Sequence, residues 1–183
     1  AAIDMWGVGT RLVTSYSCPA LGGVYKLSAI FENGHLRPKL KVSDDPEKTT
    51  NPGVKKVIRY YDEKNLMRGD VIVFEDETFP AGQPVKAFHP MLSHISKTYP
   101  GHFKREEILV PIIKGGQLIY SLPALKKIQA KTLESLSHLR PEHKRLQNPH
   151  LYHVSLGDKL FQKKQELIQA AGTGGWADEE IGR

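Results

Sequence analysis

Two glycines near the start of the chain are the residues best suited to binding an anion. They lie in the segment Gly7-Val8-Gly9-Thr10, directly after a short apolar run. Because glycine has no side chain, a phosphate-sized anion can approach the backbone N–H groups closely. Thr10 could add a hydroxyl or cap a helix, and Arg11 could add positive charge. A tight turn without a ligand explains the same local pattern equally well, since short Gly-x-Gly patterns are common.

Histidine and cysteine are the other residue types that could form a reactive or metal-binding site. The eight histidines lack the i, i+4 pairing and the neighbouring carboxylates typical of metal sites, so we expect no bound metal ion. The single cysteine, Cys18, has no histidine nearby in sequence, which favours a neutral thiol over a nucleophile. One cysteine also excludes an internal disulfide. The sequence contains no Gly-x-Ser-x-Gly elbow, Walker lysine or zinc-ribbon pair.

The charge of the chain suits an anionic ligand. Its 183 residues include 26 Lys and Arg against 20 Asp and Glu, a formal net charge of +6. The basic residues are interleaved with acidic ones and do not alternate with aromatic residues, so we expect no nucleic-acid partner. No apolar run approaches the roughly 18 residues of a membrane span, and the start lacks a signal-peptide layout. The sequence therefore predicts a cytoplasmic protein without a membrane partner.

The middle of the chain has the pattern of short β-strands. Asn33-Gly34 predicts a tight hairpin, because this pair favours the turn that joins two antiparallel strands. Polar turns separate the other apolar runs. The predicted strands cover residues 24–30, 36–42, 54–61, 70–75, 85–89 and 108–113, and a Gly115-Gly116 turn follows the last of them. We expect a largely antiparallel sheet.

The last third has the pattern of helices. Leu125, Ile128 and Leu136 recur at helical spacing, which predicts an amphipathic helix that ends before Arg140. A second helix is predicted over residues 155–171, with Ser155 as its N-cap. The chain thus divides into four parts: residues 1–27 with the glycine turn, a strand-rich region over 28–122, C-terminal helices over 123–171, and a flexible tail over 172–183.

The sequence resembles the C-terminal part of bacterial nicotinate phosphoribosyltransferase. Several motifs in the same order carry this resemblance, through about residue 171. They are residues 3–14, 19–27, 41–43, 46–53, Lys56, Arg59, 88–90, 95–97, 116–120, 148–149 and 152–156. An ordered set of this length is far more specific than one glycine turn.

The resemblance implies an enzyme of NAD biosynthesis. Nicotinate and phosphoribosyl pyrophosphate would give nicotinate mononucleotide and pyrophosphate, with ATP and Mg²⁺ as cofactors. The implied fold is an α/β or α+β fragment: the last strand and phosphate loop of an irregular α/β barrel, then the strand-rich region and the helices. In that fold, Gly7, Val8, Gly9, Thr10 and Arg11 would bind the ribose 5-phosphate. This agrees with the anion site that the residues themselves suggest.

The resemblance also sets limits on what this chain does. The family's catalytic residues lie upstream of Ala1, so the chain alone should be inactive, and its partners would be the N-terminal part of the enzyme and a second subunit. Lys48, Lys56 and Arg59 match a family motif and could touch substrate, orient the sheet or take part in the subunit contact. Two alternatives stay open: a related type II phosphoribosyltransferase for nicotinamide or quinolinate, and a basic module that binds nucleic acid or protein. Since the chain begins Ala-Ala-Ile without Met, we expect a preceding element.

Overall fold

The fold was analysed in a computed structural model, which describes residues 25–43, 48–172 and 176–177, together with Met5, Gly7, Gly9 and Thr14. These residues form two α-helices, twelve short strands and one turn of 3-10 helix at Pro141–His143. The helices are α1 (Leu125–His138) and α2 (Asp158–Ala171). None of the helices in the described part of the chain is both long and apolar enough to cross a membrane.

The strands are numbered in chain order. They are β1 (Ala29–Glu32), β2 (His35–Pro38), β3 (Leu40–Lys41), β4 (Lys55–Tyr61), β5 (Met67–Phe74), β6 (Val85–Phe88), β7 (Ser96–Tyr99), β8 (Lys104–Glu107), β9 (Ile113–Lys114), β10 (Gln117–Leu118), β11 (Val154–Gly157) and β12 (Trp176–Ala177). Six of them form one sheet in the order β7-β6-β11-β5-β4-β8. The others pair as β1 with β2, β9 with β10 and β3 with β12.

The six-stranded sheet is built on the β4–β5 hairpin and is mixed. Its pairings are antiparallel except that of β11 with β5, which is parallel and sets Val154 opposite Asp70. One face of the sheet carries the main core. Its buried members are Ile58, Tyr60, Val71, Val73, Val85, Ala87 and Tyr99. β-branched and aromatic residues are well suited to such a pleated, buried surface.

Helix α2 packs on the sheet directly after β11. Its residues Leu160, Lys164 and Leu167 are buried, and Leu167 forms a second small core with Leu40 of β3. The buried Lys164 ammonium is satisfied, since Nζ donates to the side-chain oxygen of Asn51 at 2.9 Å. Burial lowers the pKa of Lys164. Helix α1, in contrast, has no buried residue.

Several of the predicted elements are confirmed. Asn33 and Gly34 have φ values of 51° and 81°, as the predicted hairpin turn between β1 and β2 requires. The strands predicted over 54–61, 70–75 and 85–89 correspond to β4, β5 and β6, and the first predicted helix corresponds to α1. The predicted Gly115-Gly116 turn joins β9 to β10.

The prediction of a strand over 108–113 is wrong except at its last residue. The strand lies just before it, in β8, whose charged residues pair with β4 at the edge of the sheet. Charged side chains suit an edge strand that faces water. Exposed apolar residues, among them Leu109 and Val110, follow β8 without strand structure.

The predicted start of the second helix is also wrong. Ser155 is buried in β11, and α2 begins at Asp158 with Gly157 as its N-cap. Residues 154–157 pair with β5 and β6, and these two pairings outweigh a helical start at Ser155. The predicted helical block 123–171 therefore also contains a strand. Within the predicted tail, Trp176–Ala177 pairs with β3, and most other tail residues lie outside the described part of the chain.

Candidate functional site

The predicted anion turn is only partly described. Gly7 and Gly9 are exposed, and a Cβ added at either would meet no atom within 4 Å. Val8, Thr10 and Arg11 lie outside the described residues. The phosphate-binding role of this segment therefore stays a prediction.

The three predicted accessory residues do not converge on one site. The Lys48 backbone carbonyl accepts a hydrogen bond from Lys26 Nζ at 2.8 Å. Lys56 lies on β4 and pairs with Glu107 of β8, with 2.9 Å between Nζ and Oε1. Arg59 is three residues further along β4 and therefore on the opposite face of the strand.

Arg59 is held in a network with Asp70 and Tyr152. Its Nε donates to Asp70 Oδ1 at 2.8 Å, and its terminal nitrogen Nη2 donates to Oδ2 at 2.7 Å. The Tyr152 hydroxyl donates to the same carboxylate, at 2.8 Å from Oδ1. The Asp70 side chain is only 9% exposed. A bidentate, nearly buried pair of this kind holds two elements in one geometry. Contact of Arg59 with substrate stays a prediction.

The network lies where β11 joins the sheet. The Asp70 backbone N–H donates to the carbonyl of His153 at 2.9 Å, next to Tyr152. The hydrogen bond to Asp70 is the main cause that raises the pKa of Arg59. Burial is the main cause that raises the pKa of Tyr152, and the negative charge of Asp70 adds to it. The arginine therefore stays charged and the phenol protonated at neutral pH.

A groove of about 480 Å³ opens beside this network. Its walls are β7, the segment before it and the segment that leads into β11. The lining residues are His89, Ile95, Ser96, Lys97, Leu151, Tyr152, His153, Val154 and Ser155. Apolar atoms form most of the groove surface, although only Ile95, Leu151 and Val154 of the nine lining residues are aliphatic.

A smaller pocket of about 170 Å³, here called the basic pocket, adjoins the groove and shares Lys97, Leu151 and His153 with it. The basic pocket is lined by Arg68, Lys97, Arg140, Glu142, His143, His150, Leu151 and His153. The Arg140 guanidinium and the Glu142 carboxylate are 2.5 Å apart. The other side chains of the lining are basic or histidine, apart from Leu151.

Hydrogen bonds fix the orientation of the basic side chains. Lys97 Nζ donates to the carbonyl of Arg68 at 2.8 Å. His143 Nδ1 lies 2.8 Å from the carbonyl of His150, so this nitrogen carries the proton and Nε2 is left for another contact. Burial lowers the pKa of Lys97. Burial, and then the positive charges of Lys97, His143 and His89, lower the pKa of His153.

The described part of the chain was also compared with the requirements of a metal site, which needs several His, Cys, Asp or Glu side chains close together. Within the described ranges, no group of three or more His, Cys, Asp or Glu side chains could hold a metal ion. This finding concerns a resident metal centre, since a phosphate-bound Mg²⁺ needs only one or two carboxylates from the protein.

Sequence reasoning missed Asp70, Lys97 and His153. Lys97 lies in one of the motifs that the resemblance rests on, and His153 in another, but neither was assigned a role. Asp70 lay inside a predicted strand, and its nearly complete burial beside an arginine is visible only in the fold.

Comparison with known proteins assigns the family. Residues 54–164 match the family model described as nicotinate phosphoribosyltransferase C-terminal domain. The chain belongs to this family. The matched range includes the Arg59–Asp70–Tyr152 network, the groove and the basic pocket, while Lys48 and the glycine turn lie before it.

Individual relatives extend the similarity over most of the chain. The nicotinate phosphoribosyltransferase of Bacillus subtilis (strain 168) is 40% identical over 169 residues, which are 92% of this chain and 34% of that protein. The human enzyme of the same name is 36% identical over 159 residues, 86% of this chain and 28% of that protein. The chain thus spans about a third of the length of these relatives.

A solved structure is also similar. The crystal structure of human nicotinic acid phosphoribosyltransferase matches with a TM-score of 0.56 and 29% sequence identity. The match covers 66% of this chain and 23% of the human one. The mixed sheet with its two helices is thus similar to a part of that structure.

Proposed function

We propose that this chain is the C-terminal part of an enzyme that transfers the phosphoribosyl group of phosphoribosyl pyrophosphate to nicotinate. In this reaction the pyridine nitrogen forms a bond to ribose C1, the bond from C1 to the pyrophosphate oxygen breaks, and nicotinate mononucleotide and pyrophosphate are released. The family match over residues 54–164 carries the proposal. Relatives with this enzyme name, bacterial and human, support it.

The proposed contribution of this chain is to bind phosphate. Gly7 and Gly9 would offer backbone N–H donors to the ribose 5-phosphate, with the Thr10 hydroxyl and the Arg11 charge beside them. The exposure of both glycines supports this, because a ligand could reach them. ATP hydrolysis would drive the transfer, with Mg²⁺ held by phosphates and by residues in the preceding part of the same polypeptide.

The remaining partners are also proposals. The catalytic residues would lie in the preceding part of the same polypeptide, and the enzyme would act in the cytoplasm as a homodimer. Exposed apolar side chains on and near α1 support burial against the rest of the enzyme. Leu122, Leu125 and Leu133 are 75%, 81% and 62% exposed, and contiguous apolar surface on a soluble protein commonly marks an interface.

A substrate panel tests the proposal. The full-length protein is incubated with phosphoribosyl pyrophosphate, ATP and Mg²⁺ plus nicotinate, nicotinamide or quinolinate, and the mononucleotides are separated and quantified. We expect product from nicotinate at a kcat/KM at least about a hundredfold above that of nicotinamide, as expected when buried polar groups recognise a carboxylate. Quinolinate should also be a poor substrate, because its second carboxylate would need extra space and a further positive charge in the site. Preference for nicotinamide or quinolinate would assign the chain to a related transferase.

The 183-residue chain serves as the matched control. It should form no nicotinate mononucleotide under the same conditions, because the proposed catalytic residues are not in it. Turnover by this chain alone would contradict the proposal that the catalytic residues lie in the preceding part of the polypeptide. Steeply salt-dependent binding of DNA or RNA, without any turnover by the full-length protein, would favour a nucleic-acid module instead.

A further inference from the structure

We propose that the basic pocket and the adjoining groove bind a nucleoside monophosphate, with the phosphate in the basic pocket and the base in the groove. The proposed function assigns no role to either cavity, so this site goes beyond it. Three features support such a site: the positive charge of the basic pocket, the lowered pKa values of Lys97 and His153 there, and the shape and lining of the two cavities.

The basic pocket has an excess of positive charge. Arg68 and Arg140 are permanent cations there and Lys97 adds an amine that can be protonated, while Glu142 is the acidic residue of the lining and is bound to Arg140. Asp62 also forms an ion pair with Arg68, with 3.7 Å between the carboxylate oxygen and the guanidinium nitrogen, which offsets part of the Arg68 charge without a hydrogen bond. Positive charge in a concave surface attracts an anion more strongly than the same charge on a flat one.

Burial and neighbouring positive charge both disfavour the protonated forms of the basic groups. The pKa of Lys97 is lowered by burial, and that of His153 by burial and by the charges of Lys97, His143 and His89. Groups that face these two residues from the packed elements include Arg68 of β5, Arg140 and Glu142. A dianionic phosphate would relieve this repulsion, because an opposite charge nearby favours the protonated form of each group. Phosphate binding would thus draw protons to the pocket.

The donors can hold a phosphate from several sides. Lys97 offers its remaining N–H bonds, since one is donated to the carbonyl of Arg68. His143 Nε2 could donate to a phosphate oxygen only when the ring carries a second proton, because Nδ1 already donates to the carbonyl of His150. Arginine donors complete a set suited to three phosphate oxygens.

The shape of the two cavities favours a small nucleotide over a polymer. The basic pocket is about 170 Å³ and the groove about 480 Å³, and they meet at Lys97, Leu151 and His153. The groove wall at Ile95 and Val154 is apolar, and the Tyr152 ring adds an aromatic surface on which a base could lie. Together the volumes lie in the range of about 300–1,000 Å³ typical of small-molecule sites.

The test uses lysine footprinting on the full-length protein. Each lysine is modified with a limiting amount of an acylating reagent at pH 7.5, alone or with AMP, adenosine or inorganic phosphate, and the modified sites are quantified by mass spectrometry. At ten times its Kd, AMP should slow the modification of Lys97 by about tenfold. Phosphate should protect at higher concentration, and adenosine should not. Lys86 is exposed on β6 and serves as the internal control.

A variant pair adds an equilibrium measurement. Lys97→Met should weaken AMP binding by roughly ten- to hundredfold, which is the loss expected for one charge-assisted hydrogen bond. Lys86→Met should change it less than about twofold, since an exposed charge outside the pocket contributes little. Gly9→Val should leave the protection of Lys97 by AMP intact, which separates this site from the proposed phosphate turn.

Three results would overturn the site. Lys97 could react equally with and without AMP, which would mean that AMP does not bind there, or it could be unreactive throughout, which would mean that the rest of the enzyme covers the pocket. Adenosine could protect as well as AMP, which would remove the role of the phosphate. A single-stranded RNA oligomer could protect more strongly than AMP, which would assign the surface to nucleic acid.

Discussion

Replacement of Tyr152 by Phe should loosen β11 from β5, whereas the same change at Tyr60 should not. The Tyr152 hydroxyl donates to the nearly buried Asp70 carboxylate at 2.8 Å. The Tyr60 hydroxyl is buried as well, but it has no hydrogen-bond partner among the residues that the structure describes. Both substitutions remove one hydroxyl group from a tyrosine ring. The main difference between them is the hydrogen bond to Asp70 that is lost at Tyr152.

The expected magnitudes follow from the two environments. A hydrogen bond to a charged group contributes about 1.5–3 kcal/mol, and the partial exposure of Tyr152 favours the lower half of this range. A loss of about 1.5–2 kcal/mol raises the population of the open form by roughly 10- to 30-fold. Removal of the Tyr60 hydroxyl costs no hydrogen bond, so we expect a change within about 0.5 kcal/mol, or about twofold.

Amide hydrogen exchange in the full-length protein measures both effects. Peptides that cover β11 and β5 report the opening of their parallel pairing, which begins where Val154 lies opposite Asp70. Peptides from α1 provide an internal reference, because that helix takes no part in the pairing of β11 with β5. Equal acceleration in both variants, or less than about a threefold effect of Tyr152→Phe on β11, would refute the role given to the network.

Three further predictions concern Gly69 in the sheet, the buried Tyr99 and the anion turn. Gly69 has a φ of 145°, and a methyl group there would overlap the Tyr99 hydroxyl and lie 2.9 Å from the His153 carbonyl. Gly69→Ala should therefore lower the free energy of unfolding by about 2–3 kcal/mol, against about 1 kcal/mol for Gly115→Ala, where only the positive φ matters; urea denaturation would show a smaller difference if this packing is incorrect. Burial raises the pKa of Tyr99 to about 12, so its contribution to stability is complete below pH 10 and is lost as the pH rises through about 12. Tyr99→Phe should flatten the stability profile in that range, and an unchanged profile would contradict the assignment. Gly9→Val should raise the KM for phosphoribosyl pyrophosphate at least about tenfold, with the KM for nicotinate nearly unchanged, because a side chain would hold the phosphate away from the backbone; a rise in the nicotinate KM alone would place the base, and not the phosphate, at this turn.

Local signals predicted the elements whose conformation is decided within a few residues. Asn33-Gly34 defined a hairpin because both residues accept positive φ, and the spacing of Leu125, Ile128 and Leu136 defined α1 even though its apolar residues are not buried here. Strand β11 was missed because its partners are far away in sequence. Val154 pairs with Asp70, and no local pattern records such a contact.

The sequence indicated single residues of the site but not the contacts between them. Motif resemblance drew attention to Arg59, but sequence spacing could not show that its partners are Asp70 on the neighbouring strand and Tyr152, which is 82 residues from Asp70. The basic pocket draws side chains from β5, β7, the 3-10 turn and the segment before β11. Histidines that looked unrelated in sequence, among them His143 and His153, meet there only because β11 inserts between β5 and β6.

The formation of nicotinate mononucleotide tests the central claim most directly. The full-length protein, with carboxyl-labelled nicotinate, phosphoribosyl pyrophosphate, ATP and Mg²⁺, should yield labelled mononucleotide and one pyrophosphate per turnover, and omission of phosphoribosyl pyrophosphate should abolish the product. The absence of labelled mononucleotide from a folded full-length protein, or its formation without phosphoribosyl pyrophosphate, would contradict the assignment.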